Sequence, residues 1–393
     1  MFDPSIDLCG IKLRNPIIAA PAGTTETADR LKRAEDAGCG AAVIKSYFEY
    51  EPARHSPTPR FRIIPHDLGR YKTFALYSFE QANVYGIEEF GEQIRQAKEA
   101  CAMPIFSSLN CNTDERWAEG CRVSEQAGAD AIELNVSCPH GTHILAQVDM
   151  LDTMAHAVKV AKAATKLPII PKMSGQLDAP ARVAHGLAQA GADGVVMFNR
   201  FTGLDIDLES EMPVMHGGYA GHGGPWAIHY VLRWISEISP KLPIPILASG
   251  GAASGGDAVK HILAGAQAVE VCTAIVMEGW GVVERILKEM AEFAEEKGYA
   301  SVADFRGKVC PRIKGNDEID RVPCRVAHIT ESVCVNCGVC GRVCIYGAAQ
   351  KGEGRHSIVP EKCVGCGLCV ELCPVDAICL KPTEPRAFQL GVR

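Results

Sequence analysis

The stretch that decides the fold is AGADAIELNV, Ala127–Val136, in which a motif of small residues runs straight into an apolar segment. The same kind of motif precedes three other apolar segments, at Ala37–Gly40, Ala190–Asp193 and Ala264–Gln267. Each motif is typical of a glycine that ends a helix and begins a tight loop into a strand. The sequence therefore predicts a strand–helix unit that is repeated along the chain.

Apolar segments of this kind recur over the first part of the chain, each followed by a helix-like stretch. The candidate strands are Pro16–Ala20, Ala41–Lys45, Ile105–Leu109, Ala131–Val136, Ile169–Lys172, Gly194–Phe198, Ile246–Ala248 and Ala268–Val271. They are apolar throughout rather than alternating, which indicates a parallel sheet that is buried on both faces. Eight strands at this spacing favour an α/β fold of the (β/α)₈ TIM-barrel type over an open doubly wound sheet.

Composition and charge exclude several classes of protein. The chain has 393 residues, of which 47% are hydrophobic and 22% charged, as is ordinary for a globular protein. A net charge of −7 leaves no excess of Lys and Arg to neutralise the phosphates of a nucleic acid. No apolar run approaches the roughly 20 residues that span a bilayer, and the first ten residues do not resemble a secretory signal. We therefore expect a cytoplasmic protein that binds neither nucleic acid nor membrane.

Eight of the 18 cysteines fall in two C-x₂-C-x₂-C-x₃-C runs near the C-terminus. The runs are Cys334, Cys337, Cys340, Cys344 and then Cys363, Cys366, Cys369, Cys373 followed by Pro374. This is the bacterial two-cluster [4Fe–4S] pattern, in which the last Cys of each run reaches the other cluster. Zinc is the alternative, because C-x₂-C pairs also bind zinc, but zinc does not require the third Cys and the x₃ spacing twice.

This pattern assigns Cys334, Cys337, Cys340 and Cys373 to the first cluster, and Cys344, Cys363, Cys366 and Cys369 to the second. The expected domains are the barrel at 1–300 and a ferredoxin-like domain at 331–381. Between them, the polar segment 301–330 contains Pro311 and Pro323 and is expected to be a linker with little regular structure. Residues 382–393 are expected to form an extended tail.

Chemically capable side chains lie where the candidate strands end, which is the catalytic end of such a barrel. Cys138 follows the fourth strand, and its thiol can act as a general acid or pack as a small apolar group. Lys45 and Lys172 end the second and fifth strands. Either could stabilise the negative charge of a reduced flavin or form an ion pair with a neighbouring helix. The glycines after Ser249 and the pair Cys272-Thr273 suit loops that bind phosphate.

These motifs together resemble the dihydroorotate dehydrogenase family. The residues that carry the resemblance are Asn15-Pro16, Lys45, Glu133–Gly141, Lys172, Asn199, Ser249–Gly251 and Val271–Thr273. The Cys-Pro-His-Gly sequence at residues 138–141 and the fused cluster domain are more similar still to the dihydropyrimidine dehydrogenases. The resemblance covers nearly the whole chain and corresponds to the C-terminal half of the large enzyme or to its smaller bacterial subunit.

The resemblance implies an FMN cofactor and two [4Fe–4S] clusters. The FMN-binding residues that it implies are Ala20, Gly23, Lys45, Ser46, Asn110, Lys172, Gly223, Gly224, Ser249, Gly250, Gly251, Cys272 and Thr273. It implies Cys138 as the general acid on a mobile loop, and Asn83, Asn135 and Asn199 as amides that hold the substrate ring. The reaction would transfer a hydride between FMN and one carbon of a C=C bond while Cys138 serves the next carbon, with uracil or thymine as the default substrate.

Three departures from the family bear on the substrate. Arg200 follows Asn199, where the family has a small hydroxyl residue, and a cation there would favour a carboxylate, phosphate or thioester-linked acidic substrate. Arg200 could instead bind an internal carboxylate such as Asp205 or Asp207. The loop Thr142–Ala146 lacks the family's glycines and acidic residue, and Gly217–Trp226 is rich in Gly and His.

The chain has no G-x-G-x-x-G motif in a βαβ unit, so we expect that it does not bind NAD(P)H itself. Electrons would then pass between the clusters and a partner, either an FAD- and NAD(P)H-binding subunit or a soluble ferredoxin. A homo-oligomer is also expected. The functional alternatives are an oxidoreductase of an acidic ring or enoyl compound, an electron-transfer subunit, and a non-redox isomerase, in which the two clusters would be superfluous.

Overall fold

The structure is a computed structural model that describes residues 2–68, 71–80, 82–136, 149–321, 324–352 and 354–384. The predicted general acid Cys138, the loop Thr142–Ala146 and most of the expected tail lie outside the described residues. Internal contacts divide the chain into two units, residues 1–312 and 313–393.

The first unit is built on eight parallel strands. They are β1 Ile17–Ala19, β2 Ala41–Val43, β3 Ile105–Asn110, β4 Ala131–Leu134, β5 Ile169–Met173, β6 Val195–Met197, β7 Ile246–Ser249 and β8 Ala268–Val271. Each strand pairs with the next, and β8 pairs with β1 through Val269 and Ile17, so the sheet closes on itself. The predicted (β/α)₈ barrel is therefore confirmed.

Helices cover the outside of this barrel. They are α1 Ala28–Asp36, α2 Ile87–Ala100, α3 Asp114–Gln126, α4 Met150–Ala164, α5 Pro180–Gln189, α6 Ile228–Ile238, α7 Gly255–Leu263, α8 Thr273–Glu278 and α9 Gly281–Lys297. Helix α6 shows why they pack as they do, because its buried residues Ile228, Val231, Ile235 and Ile238 recur at helical spacing on one face.

The small-residue motifs fix the loops that lead into the strands. Gly128 has φ +89° and Gly191 has φ +100°, values in the left-handed region that favours glycine. The aspartate that ends each of these two motifs then ties the neighbouring strand in place. Asp130 accepts hydrogen bonds from the Ile105 backbone N–H and from the Lys98 ammonium group, at 2.7 and 2.6 Å. Asp193 does the same for the Ile169 N–H, at 2.8 Å.

A second, antiparallel sheet lies in the segments that follow β2 and β6. Its four strands are Phe201–Gly203, Ala220–Gly223, Phe74–Ser78 and Phe61–Pro65, paired in that order. Because these segments leave the C-terminal ends of the barrel strands, the sheet stands at the catalytic end. The apolar runs of the sequence did not predict it, since its strands come from two loops far apart in the chain.

The segment 301–330, expected to be a linker, is instead divided between the two units. Val302 and Phe305 are buried in the core of the first unit. Cys324–Ile329 is a strand of the second unit and pairs antiparallel with Ile378–Thr383 along its whole length. The apolar side chains at one end and the ladder hydrogen bonds at the other order most of a segment whose polar composition and prolines had indicated a loop.

The second unit is small. A hairpin, Ala349–Lys351 with His356–Ile358, accompanies the pair Cys324–Ile329 and Ile378–Thr383. Two short helices, Val339–Val343 and Leu368–Glu371, each begin directly after a glycine with a left-handed φ. Cysteines and a few small apolar residues form its core. None of the helices among the described residues is long and apolar enough to cross a membrane.

Candidate active site and cluster sites

A cavity of about 340 Å³ opens at the C-terminal ends of the barrel strands. The antiparallel sheet contributes Phe61, Phe74 and Gly223 to its wall. The sequence-predicted residues that line it are Ala20, Ser46, Asn135, Lys172, Asn199, Arg200, Gly223, Gly224, Ser249, Gly250, Gly251, Cys272 and Thr273. The volume lies at the lower end of the range of small-molecule sites, which is about 300–1,000 Å³.

Lys172, at the end of β5, is the central charge of this site. Its ammonium group lies 3.3 Å from Glu133 Oε2 and 2.5 Å from Glu270 Oε2, so it joins β4 and β8. All three side chains are buried, and Glu270 Oε1 has no hydrogen-bond partner among the described residues. The ion-pair alternative for Lys172 is thus correct as to pairing, but the carboxylates come from barrel strands rather than from a helix.

This buried group has more carboxylates than cations. Burial raises the pKa of Glu133 to about 8, with the Glu270 carboxylate adding to the effect and Lys172 opposing it. Burial lowers the pKa of Lys172, but the two glutamates outweigh it and hold that pKa above its ordinary value. The raised pKa favours the protonated form of Glu133 at neutral pH, beside a charged Lys172.

A chain of hydrogen bonds runs from Lys172 to the predicted substrate amides. Ser108 donates to Glu133 Oε1 at 3.1 Å and lies 2.8 Å from the Ser46 hydroxyl. Asn135 Nδ2 donates to Ser46 Oγ, and Asn199 Nδ2 donates to Asn135 Oδ1. The amides at the cavity are thereby held by the same network that holds the buried lysine.

Lys45 does not line the cavity but is buried behind it. Its ammonium group lies 3.3 Å from Glu80 Oε1 and 3.7 Å from Glu26 Oε1. The backbone N–H of Gly23 donates to Glu80 Oε2, and a Cβ at Gly23 would lie only 2.4 Å from Glu80 Oε1. Gly23 and Lys45 thus both contact Glu80, a cavity-lining residue that the sequence did not single out.

Two further predicted residues lie outside the cavity wall. Asn83 is buried, donates to the backbone oxygen of Lys45, accepts from the Tyr85 N–H and does not line the cavity. Asn110 donates to the backbone oxygen of Asn135 at 2.6 Å. The structure thus does not bring the Asn83 amide to the place predicted for a substrate ring, nor the Asn110 amide to the cavity wall.

Arg200 lines the cavity, and its guanidinium donates to the backbone oxygen of Glu80 at 2.7 Å. Among the ion pairs of the described residues, none joins Arg200 to Asp205 or Asp207. Asp207 accepts from Ser210, and Asp205 accepts from the Ile206 N–H. The close approach of Gly221 makes room for the guanidinium, since a Cβ there would lie 2.2 Å from Arg200 Nε. The internal-carboxylate alternative for Arg200 is therefore not seen.

The other end of the cavity has the character of a flavin site. Gly250 and Gly251 both have left-handed φ values after β7, and Thr273 begins α8 after β8. A Cβ at Gly223 would approach Thr273 Oγ1 to 3.0 Å, so glycine keeps this end open. The Cys272 thiol is half-buried there, and burial raises its pKa. Backbone loops, a hydroxyl group and a buried ammonium group are the donors that a phosphorylated, electron-accepting ring requires, so these residues fit FMN.

The cysteines of the second unit line two separate small cavities. One is lined by Cys334, Cys337, Cys340 and Cys373, and the other by Cys344, Cys363, Cys366 and Cys369. These are the two crossed sets that the spacing predicted, with the last cysteine of each run in the opposite cavity.

Backbone N–H groups donate to sulfur at both sets, for example Ala377 to Cys373 and Ala348 to Cys344, each at 3.2 Å. No three His, Cys, Asp or Glu side chains in the described ranges converge closely enough to bind one metal ion. A cubane cluster binds each thiolate to a different iron and spreads the four sulfurs, so the cavities fit clusters better than zinc.

The sequence model described as dihydroorotate dehydrogenase matches residues 5–294. The chain belongs to the dihydroorotate dehydrogenase family. A second model, described as a 4Fe-4S dicluster domain, matches residues 327–380. The protein is therefore an FMN and iron–sulfur oxidoreductase with two [4Fe–4S] clusters, which confirms the cofactors and the enzyme class predicted from the sequence.

Similar proteins in this family include two kinds of subunit. The catalytic subunit of dihydroorotate dehydrogenase B (NAD(+)) from Pyrococcus abyssi is 30% identical over 77% of this chain and 97% of its own length. The PreA subunit of NAD-dependent dihydropyrimidine dehydrogenase from Escherichia coli K12 is 28% identical over 89% of this chain and 87% of its own length. The match to PreA covers more of this chain than the match to the Pyrococcus subunit.

Sequence reasoning missed the acidic partners of the two lysines. Glu26, Glu80 and Glu270 carried no motif of their own, and Glu133 was noted only as part of a longer stretch. A signal was present in the strands, because a Glu in the apolar runs of β4 and β8 needs a buried cation as its partner.

We expect the replacement Glu133→Gln to change how stability depends on pH. The pKa of Glu133 is raised from 4.5 to about 8 in the folded protein, so the stabilisation from its proton is complete below pH 4.5 and is lost as the pH rises from 4.5 through 8. When both proteins are prepared without FMN, the free energy of unfolding of the variant should fall less between about pH 5 and 8 than that of the wild type, as measured by urea unfolding. Glu99→Gln, at an exposed position of α2, is the control. An unchanged slope in Glu133→Gln would contradict a protonated Glu133.

The crossed assignment of the cysteines predicts which cluster is lost when one of its ligands is replaced. Cys373→Ala should abolish the cluster of Cys334, Cys337 and Cys340, whereas Cys344→Ala should abolish the other, as seen by iron content and electron paramagnetic resonance. Cys379→Ala is the matched control, because Cys379 is exposed and lines neither cavity. Loss of one and the same cluster in both Cys340→Ala and Cys344→Ala would refute the crossed assignment.

Proposed function

We propose that this oxidoreductase reduces or oxidises a C=C bond of a cyclic substrate, with a pyrimidine such as uracil or thymine as the default. The observation that carries the proposal is the pair of hydrogen-bonded amides, Asn135 and Asn199, in a cavity that also contains Lys172. A pyrimidine ring presents N–H donors and C=O acceptors side by side, which amide side chains match. The name of the PreA relative, a dihydropyrimidine dehydrogenase subunit, supports the same substrate class.

Some of the cavity residues would bind the cofactor, and others would bind the substrate. Lys172, Ser46 and Ala20 would contact the flavin ring, and the loops at Gly223-Gly224, Ser249–Gly251 and Cys272-Thr273 would hold the ribityl phosphate. When bound, FMN supplies hydride transfer to or from a carbon of the substrate. Lys172 would stabilise negative charge on the ring. The hydrogen-bond network through Ser108 would hold the amides of Asn135 and Asn199 in fixed positions relative to Lys172.

Cys138 would hold the proton that this chemistry requires. In the sequence it comes two residues after Val136, shortly after β4 ends at Leu134. An ordinary thiol, with a pKa near 8.5, is mostly protonated at neutral pH and can donate to the carbon next to the one that takes the hydride.

Electrons would come from outside the chain. The relatives from Pyrococcus and Escherichia coli are both named as subunits, and both names include NAD. We therefore propose a partner subunit that binds FAD and NAD(P)H and exchanges electrons with the clusters. Full turnover with NADH and this chain alone would contradict a partner, and turnover with reduced ferredoxin would replace the partner subunit by that carrier.

A second candidate rests on Arg200. Its guanidinium lines the cavity beside the backbone oxygen of Glu80, without a carboxylate partner among the described ion pairs. A planar cation with free donors binds a carboxylate, a phosphate or an acidic thioester better than a neutral ring. The alternative substrate is therefore an acidic ring or an enoyl compound reduced by the same chemistry.

The two candidates differ in which compounds reoxidise the reduced enzyme. After anaerobic reduction by dithionite, we expect uracil or thymine to restore the visible absorbance of the flavin rapidly. In that case, Arg200→Gln should keep most of the rate. Reoxidation only by carboxylated or thioester alkenes, with a loss of about tenfold or more in Arg200→Gln, would establish the acidic substrate, because one charge-assisted hydrogen bond contributes about 1.5–3 kcal/mol. Reoxidation by neither class would point to an electron-transfer subunit.

Replacement of Cys138 tests the proton donor separately. Cys138→Ala should lower turnover by about 10²–10⁴-fold, the usual contribution of a general acid, while flavin content and reduction by dithionite stay normal. Cys379→Ala, a change at an exposed cysteine, should leave turnover unchanged. An unaltered rate in Cys138→Ala would exclude Cys138 as the donor.

A further inference from the structure

The two cysteine runs share one spacing and differ in the residue before the second cysteine, among other positions. Cys334-Val335-Asn336-Cys337 corresponds to Cys363-Val364-Gly365-Cys366. Asn336 and Gly365 both take left-handed backbone angles, with φ +53° and +70°. At Gly365 a Cβ would lie 2.3 Å from the Arg325 backbone oxygen, so only glycine fits there. The first run instead accepts a side chain at a position that glycine would occupy at lower cost.

The Asn336 side chain is held on both sides. Its Nδ2 donates to the backbone oxygen of Gly354 at 2.6 Å, and its Oδ1 lies 3.1 Å from His356 Nδ1. Because the amide nitrogen is committed to a carbonyl, the amide oxygen faces the histidine, and Nδ1 of His356 carries the proton. The backbone N–H of Asn336 also donates to Cys334 Sγ at 3.4 Å.

His356 lies against the loop that carries the first cysteine run. A Cβ at Gly341 would lie 2.9 Å from His356 Nε2, and a Cβ at Gly338 would lie 3.3 Å from Cε1. These two glycines let the ring approach beside Cys337 and Cys340. Asn336 and His356 both line the cavity of the first set of cysteines.

The second cavity is different in character. Apart from its four cysteines, the described residues that line it are apolar or glycine, with Tyr346 as the one polar side chain. Backbone N–H groups donate to sulfur at both sets, from Ala327, Ala348 and Ala349 at the second and from Asn336 and Ala377 at the first. Among the described lining residues, Asn and His side chains occur only at the first cavity. Arg342 adds to the contrast, since its guanidinium donates to the backbone oxygen of Cys337 at 3.2 Å.

Reduction adds one negative charge to a cluster, so polar groups and cations beside it favour the reduced form. An apolar surround does the opposite. We propose that Asn336 and His356 raise the reduction potential of the cluster bound by Cys334, Cys337, Cys340 and Cys373 above that of the other cluster. An electron shared by the two clusters therefore resides mainly on the first one. The inference rests on the two clusters and is independent of the substrate.

The experiment is a redox titration of the holoprotein followed by electron paramagnetic resonance, which resolves the reduction of each cluster. Two variants remove the polar groups, Asn336→Gly, which copies Gly365, and His356→Phe, which keeps a planar ring without a nitrogen. In each, the higher of the two potentials should fall by roughly 59 mV, a tenfold change in the ratio of reduced to oxidised cluster, while the lower one stays. His356→Gln, which retains a polar N–H group, should restore part of the loss.

Iron content and the oxidised absorbance show that the variants assemble both clusters, so a folding defect is told apart from a change of potential. Tyr346→Phe is the matched control at the second cavity and should leave the higher potential in place. Unchanged potentials in Asn336→Gly and His356→Phe, or a fall confined to the lower potential, would overturn the proposal.

Discussion

The ammonium group of Lys172, buried between two glutamates, is the interaction on which the barrel site depends. It connects the end of β5 with Glu133 on β4 and Glu270 on β8, on either side of the barrel mouth. A buried charge is costly unless it is paired, so the three strand ends cannot separate without exposing an uncompensated ion. Glu270 also lines the cavity, and its Oε1 is buried without a hydrogen-bond partner among the described residues. Structure and chemistry therefore depend on one cluster of charges.

The rest of the site is an extension of this cluster. Hydrogen bonds through the hydroxyls of Ser108 and Ser46 link it to Asn135 and Asn199. The amides at the cavity are therefore oriented before any ligand binds. A second buried pair, Lys45 with Glu80, secures the neighbouring loop. Preorganisation of this kind places dipoles where charge develops, without a cost of reorganisation during the reaction.

The cluster domain follows a different principle. Its core is made of the cysteines themselves and a few small residues such as Ala327, Ala348 and Ala377. So small an apolar core stabilises a domain only modestly, so ligation of the clusters becomes part of its folding. Cys340 and Cys344, at the two ends of one short helix, line different cavities, so this helix connects the two sites.

The sequence by itself determined the barrel and the two sets of cysteines, because both follow from the spacing of residues that are close together in the chain. The repeated small-residue motifs mark each turn into a strand, and the cysteine spacing assigned each thiol to the cavity in which it lies. Only the tertiary structure decided the partners of Lys45 and Lys172, the antiparallel sheet and the positions of Asn83 and Asn110. Those depend on strand ends and loops far apart in the chain, which barrel closure brings together. No local pattern pairs Lys172 with Glu270, 98 positions away.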